Sequence, residues 1–165
     1  SGGAQIALWD PRANAESWLA LGSIVNAHDG ALAVTAVCAE GNVLVAGDAD
    51  GRVAVWDVRS GGTAVASARG HGGAVSGVCW DSGASDDANV VSCSVDGSVK
   101  VWASGLSGAA RSYSLGQGSV VAVAYDDGYD VLRAAAIGCA GAGAVVSLDS
   151  SRQVEVVAAA IEALQ

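Results

Sequence analysis

Residues 90–102, Val-Val-Ser-Cys-Ser-Val-Asp-Gly-Ser-Val-Lys-Val-Trp, decide the fold, because their pattern already occurs 46 positions earlier. There, residues 44–56 read Leu-Val-Ala-Gly-Asp-Ala-Asp-Gly-Arg-Val-Ala-Val-Trp. In both stretches an Asp-Gly pair separates two Val-containing runs, which predicts a β-hairpin with a two-residue turn. A repeat of this length indicates a unit that buries its apolar face by stacking on its neighbours.

Weaker copies of the same unit flank these two. Trp9 lies 47 residues before Trp56, and Leu148 takes the place of Trp in a last copy, where Ala142-Gly143 replaces Asp-Gly. Each unit has the pattern of three short strands, and a fourth fits between units. In the best-defined unit we predict strands at residues 75–80, 89–94 and 98–102, with connecting strands at residues 63–68 and 111–115. The chain is therefore predicted to be all-β.

Three groups of residues, Gly70-His71, Asp96-Gly97 and Val55-Trp56-Asp57, resemble the signature of the WD40 repeat family of β-propellers. The resemblance covers nearly the whole chain and implies a WD40-type β-propeller with antiparallel four-stranded blades. In that family a His, a Ser or Thr, an Asp and a Trp form a structural tetrad of hydrogen-bonded side chains. Carried over, the resemblance implies a full tetrad of His71, Ser92, Asp96 and Trp102, and a partial one of His28, Asp50 and Trp56, where Ala46 replaces the hydroxyl residue.

The repeats divide the chain into one partial propeller domain, residues 1–165. Residues 1–15 end an incomplete blade, residues 16–57, 61–102 and 109–149 are WD-type repeats, and residues 153–165 form an outer strand or a short C-terminal helix. Because propellers close with roughly four to eight blades, about three and a half blades cannot close the usual ring. We expect the C-terminal half of a longer propeller or a half completed by another chain. A closed four-bladed ring would need the C-terminal tail to supply the first strands.

The charge of the chain argues against nucleic acid as a partner. Its net charge is -9, from 17 acidic and 8 basic residues, and binding to phosphates needs clustered Lys and Arg. The acidic clusters are either a solvated loop face or a surface for a basic partner. This candidate partner surface comprises Asp48, Asp50, Asp86, Asp87, Asp126, Asp127 and Asp130.

The four cysteines are predicted to be packing residues. Cys93 and Cys139 are 46 residues apart, and Cys38 and Cys79 both follow Val at the end of a first strand. Their spacing does not fit a zinc site, so we expect no metal and no cofactor. Free thiols favour a reducing compartment, hence an intracellular location, cytoplasmic or nuclear. The sequence lacks an apolar run long enough to cross a bilayer, so no membrane association is expected.

The resemblance implies a non-catalytic scaffold for protein-protein interaction within a multi-subunit assembly. We expect no catalytic residues, because His71 and Ser92 already have structural roles. The expected partners are other protein subunits, including whatever supplies the remaining blades. Two alternatives stay open: a propeller that reads a basic peptide such as a histone tail, and the structural half of an enzyme whose active site lies elsewhere.

Overall fold

A computed structural model of the chain describes residues 6–8, 19–21, 33–60, 64–81, 89–103, 105–106, 111–114, 118–126, 131–137, 143–148 and 154–157. These residues contain a short 3-10 helix, Val58–Ser60, and fourteen β-strands. The strands are β1 (Ile6–Leu8), β2 (Leu19–Leu21), β3 (Val34–Glu40), β4 (Val43–Asp48), β5 (Arg52–Asp57), β6 (Ala64–Arg69), β7 (Val75–Asp81), β8 (Asn89–Ser94), β9 (Ser98–Ala103), β10 (Arg111–Ser114), β11 (Ser119–Asp126), β12 (Val131–Ile137), β13 (Gly143–Leu148) and β14 (Val154–Val157).

The strands form three antiparallel four-stranded sheets in which each strand pairs with the next one in sequence. We call β3–β6 the first blade, β7–β10 the second blade and β11–β14 the third blade. Strands β1 and β2 pair only with each other among the described strands, and we call them the half blade. The prediction of an all-β, partial propeller with four-stranded antiparallel blades is confirmed.

Strand β14 is the outer strand of the third blade, where Val154 pairs with Leu148 and Val157 with Val145. Of the two expectations for the C-terminal stretch, the outer strand describes residues 154–157. The expected helix from Ala158 onward lies outside the described residues.

Three apolar clusters, one on each side of the first blade and one beyond the second, hold the sheets together. The first includes Leu44, Ala46, Ala54 and Trp56, with Ile6 of the half blade packed against it. The second joins the first and second blades through residues such as Val45, Val53, Val78 and Trp102. The third joins the second and third blades through Cys79, Val91, Cys93, Val99 and Val120. Because β4 is covered on both faces, its residues 44–48 are all buried.

The first strand of each blade carries a β-bulge near its start. Pairing shifts between Val34 and Ala36 in β3, between Val75 and Gly77 in β7, and between Val120 and Ala122 in β11. The bulged residues are therefore Thr35, Ser76 and Val121. A bulge turns its side chain away from the regular alternation, which here allows contact with the next blade.

Two of the bulged side chains tie one blade to the next. The Thr35 hydroxyl donates to the carbonyl of Val75, and the Ser76 hydroxyl donates to the carbonyl of Val120. Each hydroxyl thus reaches the residue that precedes the bulge in the following blade. We call this contact the bulge latch. It fixes the spacing of the inner strands from the first blade to the third.

The prediction of a two-residue Asp-Gly turn is wrong. Strands β4 and β5 are joined by residues 49–51, and β8 and β9 by residues 95–97. Gly51 and Gly97 have φ of +80° and +83°, whereas Leu106 is the sole described non-glycine residue with positive φ. A two-residue type I′ turn needs positive φ at both central residues. The loops are three-residue turns with glycine in the left-handed conformation, because the strand register leaves one more residue in the loop.

Candidate functional site

The structure brings His71, Ser92 and Trp102 of the second blade into direct contact. His71 lies in the loop before β7, Ser92 lies on β8 and Trp102 lies on β9. Trp102 Nε1 donates to Ser92 Oγ over 2.8 Å, and Ser92 Oγ is 2.7 Å from His71 Nε2. The His71 and Trp102 rings meet edge to face with centroids 6.4 Å apart. Ser92 is fully buried, so its two hydrogen bonds are shielded from water.

Asp96 is linked to this trio through Ser98, a residue that the sequence analysis missed. His71 Nδ1 lies 3.0 Å from Ser98 Oγ and 3.5 Å from Asp96 Oδ2. The Ser98 hydroxyl donates to Asp96 Oδ1 over 2.6 Å. The signal was present in the sequence, because a hydroxyl residue two positions after Asp commonly closes a local hydrogen bond. We call His71, Ser92, Asp96, Ser98 and Trp102 the blade cluster.

The hydrogen bonds of the blade cluster can form one continuous chain in which each group donates to the next, from Trp102 to Asp96. The Trp102 N–H donates to Ser92, and the Ser92 hydroxyl can then donate to His71 Nε2. The proton of His71 sits on Nδ1 in this arrangement and donates to Ser98, whose hydroxyl donates to Asp96. This assignment uses the neutral Nδ1-H tautomer of His71 and gives each buried polar side-chain atom of the blade cluster a hydrogen-bond partner.

The electrostatics of the cluster favour a neutral imidazole beside a charged carboxylate. Burial lowers the pKa of His71 below its ordinary 6.5, and the opposing attraction of the Asp96 carboxylate does not cancel this effect. Burial also acts to raise the pKa of Asp96. However, hydrogen bonds from the Ser98 side chain and from the N–H groups of Gly72 and Ser98 outweigh it and lower that pKa. At neutral pH the Asp96 carboxylate is therefore ionised and the His71 ring is neutral.

Two glycines let the loops of adjacent blades approach the cluster. A Cβ on Gly70 would lie 2.4 Å from Trp102 Cη2, so the tryptophan ring packs directly on bare backbone. A Cβ on Gly51 would lie 2.4 Å from the carbonyl oxygen of His71. The carbonyl of Gly51 accepts hydrogen bonds from the N–H groups of Gly70 and His71, at 3.3 and 3.2 Å. The turn of the first blade thus positions the histidine loop of the second.

The corresponding residues of the first blade are only partly described. Trp56 is 2 % exposed and Ala46 3 % exposed, whereas Asp50 lies on the surface. His28 lies outside the described residues. The partial tetrad of this blade therefore remains a prediction.

One residue of the candidate acidic surface is misplaced in the sequence prediction. Asp48 is 2 % exposed. Its Oδ1 accepts hydrogen bonds from the N–H groups of Asp50 at 2.8 Å and Arg52 at 3.0 Å, so the carboxylate caps the hairpin turn. Asp48 cannot belong to an exposed acidic surface. Asp50 is exposed, and Asp126 ends β11 with a side chain that is not described. Asp86, Asp87, Asp127 and Asp130 lie outside the described residues.

A surface ion pair marks the end of β5. Arg59 Nη2 lies 2.7 Å from Asp57 Oδ2, and Arg59 Nε donates to Asp57 Oδ1 over 2.9 Å. These hydrogen bonds hold the pKa of Asp57 at about 2. The pair is bidentate and exposed to solvent. The Asp57 carboxylate is therefore already paired with a cation of its own chain, the guanidinium of Arg59.

The described cysteines are free thiols within the apolar clusters. Cys79 and Cys93 are buried and Cys38 is half-buried. Burial raises the pKa of Cys93 and outweighs the opposing contact with the Ser76 hydroxyl. Cys139 lies outside the described residues. Among the residues that the structure describes, no three His, Cys, Asp or Glu side chains come together as metal ligands would. Within the same ranges, we find no helix with the length and apolarity to cross a membrane.

Comparison with known proteins gives a family match and similar solved structures, of which one is a designed protein. The family model described as "WD domain, G-beta repeat" matches residues 20–57 and 62–103. The crystal structure of the computationally designed Ika8 protein is similar, with a TM-score of 0.63 and 26% sequence identity. That match covers 85% of this chain but only 38% of the designed protein. No curated protein sequence matches the chain significantly.

Proposed function

Because this chain belongs to the WD40-repeat family and folds as part of a β-propeller, we propose that it is a non-catalytic scaffold within a multi-subunit assembly. WD40 repeats in general indicate a protein-interaction scaffold. The finer proposal is that these blades are the C-terminal half of a propeller and that other subunits bind its loops and edges.

The closed blade cluster carries this proposal. A catalytic site needs a polar group that is free to act on a substrate. In the blade cluster, the Ser92 hydroxyl is shared between His71 and Trp102 and is shut off from solvent. The Asp96 carboxylate accepts from Ser98 and from the N–H of Gly72. The polar groups of the blade cluster form their hydrogen bonds with one another. This arrangement favours a rigid structural unit that holds the surface loops, rather than a reaction centre.

The number of blades supports the idea of a partial propeller. Three complete blades and a half blade are described, whereas propellers close with roughly four to eight. The chain also spans only 38% of the designed protein that it resembles. We therefore propose that further blades come from elsewhere, in the same polypeptide or in a partner.

The proposal includes an intracellular location, cytoplasmic or nuclear. It is supported by the three described cysteines, which are all free thiols. Buried thiols of this kind persist most readily where glutathione keeps cysteine reduced.

The scaffold proposal can be tested by isolating the native assembly. Val95 is 47% exposed at the tip of the turn beside Asp96, where a partner could contact it. We expect Val95→Glu to weaken the recovery of at least one subunit while the melting temperature stays within about 2 °C. Ser112→Ala, on the exposed outer strand β10, is the matched control. A native protein that elutes without any other subunit would contradict the proposal.

A further inference from the structure

Strand β10 forms an open edge of the second blade. It pairs with β9 through residues 111–114, and among the described strands it has no second neighbour. Arg111, Ser112 and Ser114 are exposed, and Tyr113 is half-buried. The outer side of such a strand presents N–H and C=O groups that can pair with another extended chain.

The outer edge of the first blade has a different geometry. Strand β6 pairs with β5, but the pairing shifts between Val55 and Trp56, which leaves Val65 bulged on β6. A bulge twists an edge strand and obstructs the addition of a further strand. Strand β10, in contrast, pairs with β9 in an unbroken register over its four residues. Of these two outer strands, β10 is therefore the one that can accept another strand along its full length.

Two cations flank the β10 edge, one on each face of the blade. Lys100 pairs across the strands with Ser112, and its ammonium donates to the Ser112 hydroxyl over 3.0 Å. This contact brings the charge from β9 to the level of β10. Arg111 precedes Ser112 by one residue and therefore lies on the opposite face, because successive side chains of a strand alternate. Within the described ranges, neither cation forms an ion pair with a carboxylate.

These positions specify the side chains that suit an added strand. Its backbone would lie about 4.8 Å beyond β10, within reach of both cations. In antiparallel register, the residue opposite Ser112 lies on the Lys100 face, and the next residue, opposite Arg111, lies on the other face. Two adjacent acidic residues would each meet one cation. The residue before them lies opposite Tyr113, which packs against an apolar cluster, so an apolar side chain fits there.

We propose that the β10 edge binds an extended acidic segment of a partner protein by strand addition. The segment has the pattern apolar-acidic-acidic, and its main chain continues the antiparallel sheet of the second blade. Its first carboxylate pairs with Lys100 and its second with Arg111. The net charge of the chain is -9, so these local cations, rather than general attraction, hold the segment. This inference rests on the proposed function and names the chemistry of one partner.

Other occupants fit this edge less well. Nucleic acid needs clustered Lys and Arg along many phosphates, whereas the edge offers two cations on opposite faces. Pairing with β10 of a second copy would set one basic edge against another. Strand β14 of a second copy has one acidic residue, Glu155, rather than two adjacent ones. A separate acidic segment meets both cations at once.

The experiment measures the binding of a synthetic peptide to the purified protein. The peptide Thr-Val-Val-Glu-Glu-Val-Thr, blocked at both ends and carrying a fluorophore, places its second Val opposite Tyr113 and its two Glu opposite Ser112 and Arg111. Fluorescence anisotropy gives the dissociation constant, and amide exchange locates the site. We expect exchange in residues 111–114 to slow at least about threefold on binding. A peptide with Thr-Thr in place of Glu-Glu should bind about tenfold more weakly.

Charge reversal separates the loss of the site from the loss of folding. Arg111→Glu should weaken binding of the Glu-Glu peptide about tenfold. The double variant Lys100→Glu and Arg111→Glu should instead bind a Lys-Lys peptide, which shows that the variant is folded. Arg69→Glu, at an exposed arginine of the bulged strand β6, is the matched control and should leave binding unchanged. Ser112→Ala keeps both cations and the main chain, so binding should change by less than about twofold.

A second peptide tests the main-chain hydrogen bonds. It is N-methylated at alternate residues on the side that faces β10, so it keeps both carboxylates but loses these N–H donors. A strand that adds to the sheet depends on such donors, whereas a peptide attracted by charge alone does not. We therefore expect the N-methylated peptide to show no saturable binding.

Three outcomes would overturn the inference. The first is a Glu-Glu peptide that binds no better than its Thr-Thr counterpart. The second is an N-methylated peptide that binds equally well, which would make the edge a charged patch without strand addition. The third is binding that Arg69→Glu weakens as much as Arg111→Glu does. None of these outcomes bears on the scaffold proposal, which is tested separately through Val95 and subunit recovery.

Discussion

Ser92→Ala removes one oxygen atom and should disrupt the blade cluster. The Ser92 hydroxyl is fully buried, and it serves Trp102 Nε1 at 2.8 Å and His71 Nε2 at 2.7 Å. Alanine fills nearly the same volume but leaves both nitrogen atoms without this partner. A buried polar group without its hydrogen bond costs about 1–3 kcal/mol, so two give about 2–6 kcal/mol. For a chain of this size, at about 2–4 °C per kcal/mol, the melting temperature should fall by roughly 4–24 °C.

The assay is thermal and urea unfolding of the chain within its native complex, followed by Trp fluorescence. Ser112→Ala, which removes the exposed hydroxyl that accepts from Lys100 Nζ, is the control and should shift the midpoint by less than about 2 °C. Ser92→Ala should also cost less in a Trp102→Phe background, because the indole donor is then already absent. Equal midpoints for Ser92→Ala and Ser112→Ala, or full additivity with Trp102→Phe, would refute the reasoning.

The remaining predictions concern pH, thiols and turns. Because burial lowers the folded-state pKa of His71, the unfolded chain takes up the proton first, so the free energy of unfolding should fall as the pH drops below 6.5. His71→Gln should reduce this dependence just below pH 6.5, and an unchanged slope there would exclude His71 as its source. In the native protein a thiol reagent should modify Cys38 faster than Cys93, whose pKa is raised by burial, and equal rates would contradict their different burial. Gly51→Ala should cost about 3 kcal/mol or more, since its Cβ would meet the His71 carbonyl, whereas Gly41→Ala, with φ of +56° and open space, should cost about 1 kcal/mol. Similar denaturation midpoints for the two glycine variants would count against the close approach of these loops.

Repetition made the strands of the second blade predictable. The residues assigned to β8, Asn89–Ser94, match the structure, and those assigned to β7 differ from it by one residue at the end. Two copies of a pattern constrain each other, because both must satisfy the same hydrogen-bond ladder. The WD40 resemblance also names four residues that the structure brings together around Ser92.

The predictions that failed all concern geometry that depends on the folded chain rather than on the local sequence pattern. The turn type at Asp96-Gly97 depends on how many residues the strand register leaves in the loop, and the Asp-Gly pair alone does not give this number. The burial of Asp48 depends on the direction in which the turn points its first side chain. The contact of Ser98 with Asp96 is local and has a signal in the sequence, but its contact with Nδ1 of His71, 27 residues away, depends on the fold. The bulge latch was detectable in principle, since Thr35 and Ser76 are both hydroxyl residues at the second position of a first strand.

The bulge latch also bears on how such a chain can evolve. Each hydroxyl donates forward along the sequence, from Thr35 to the second blade and from Ser76 to the third. A repeat that carries both the donor and the acceptor fits next to any other copy of itself. Duplication or loss of one repeat therefore creates no new kind of interface, and copy number can change by recombination without redesign of the junctions. The third blade has Val121 at its bulge, and valine has no hydroxyl to donate, so not every repeat carries this donor.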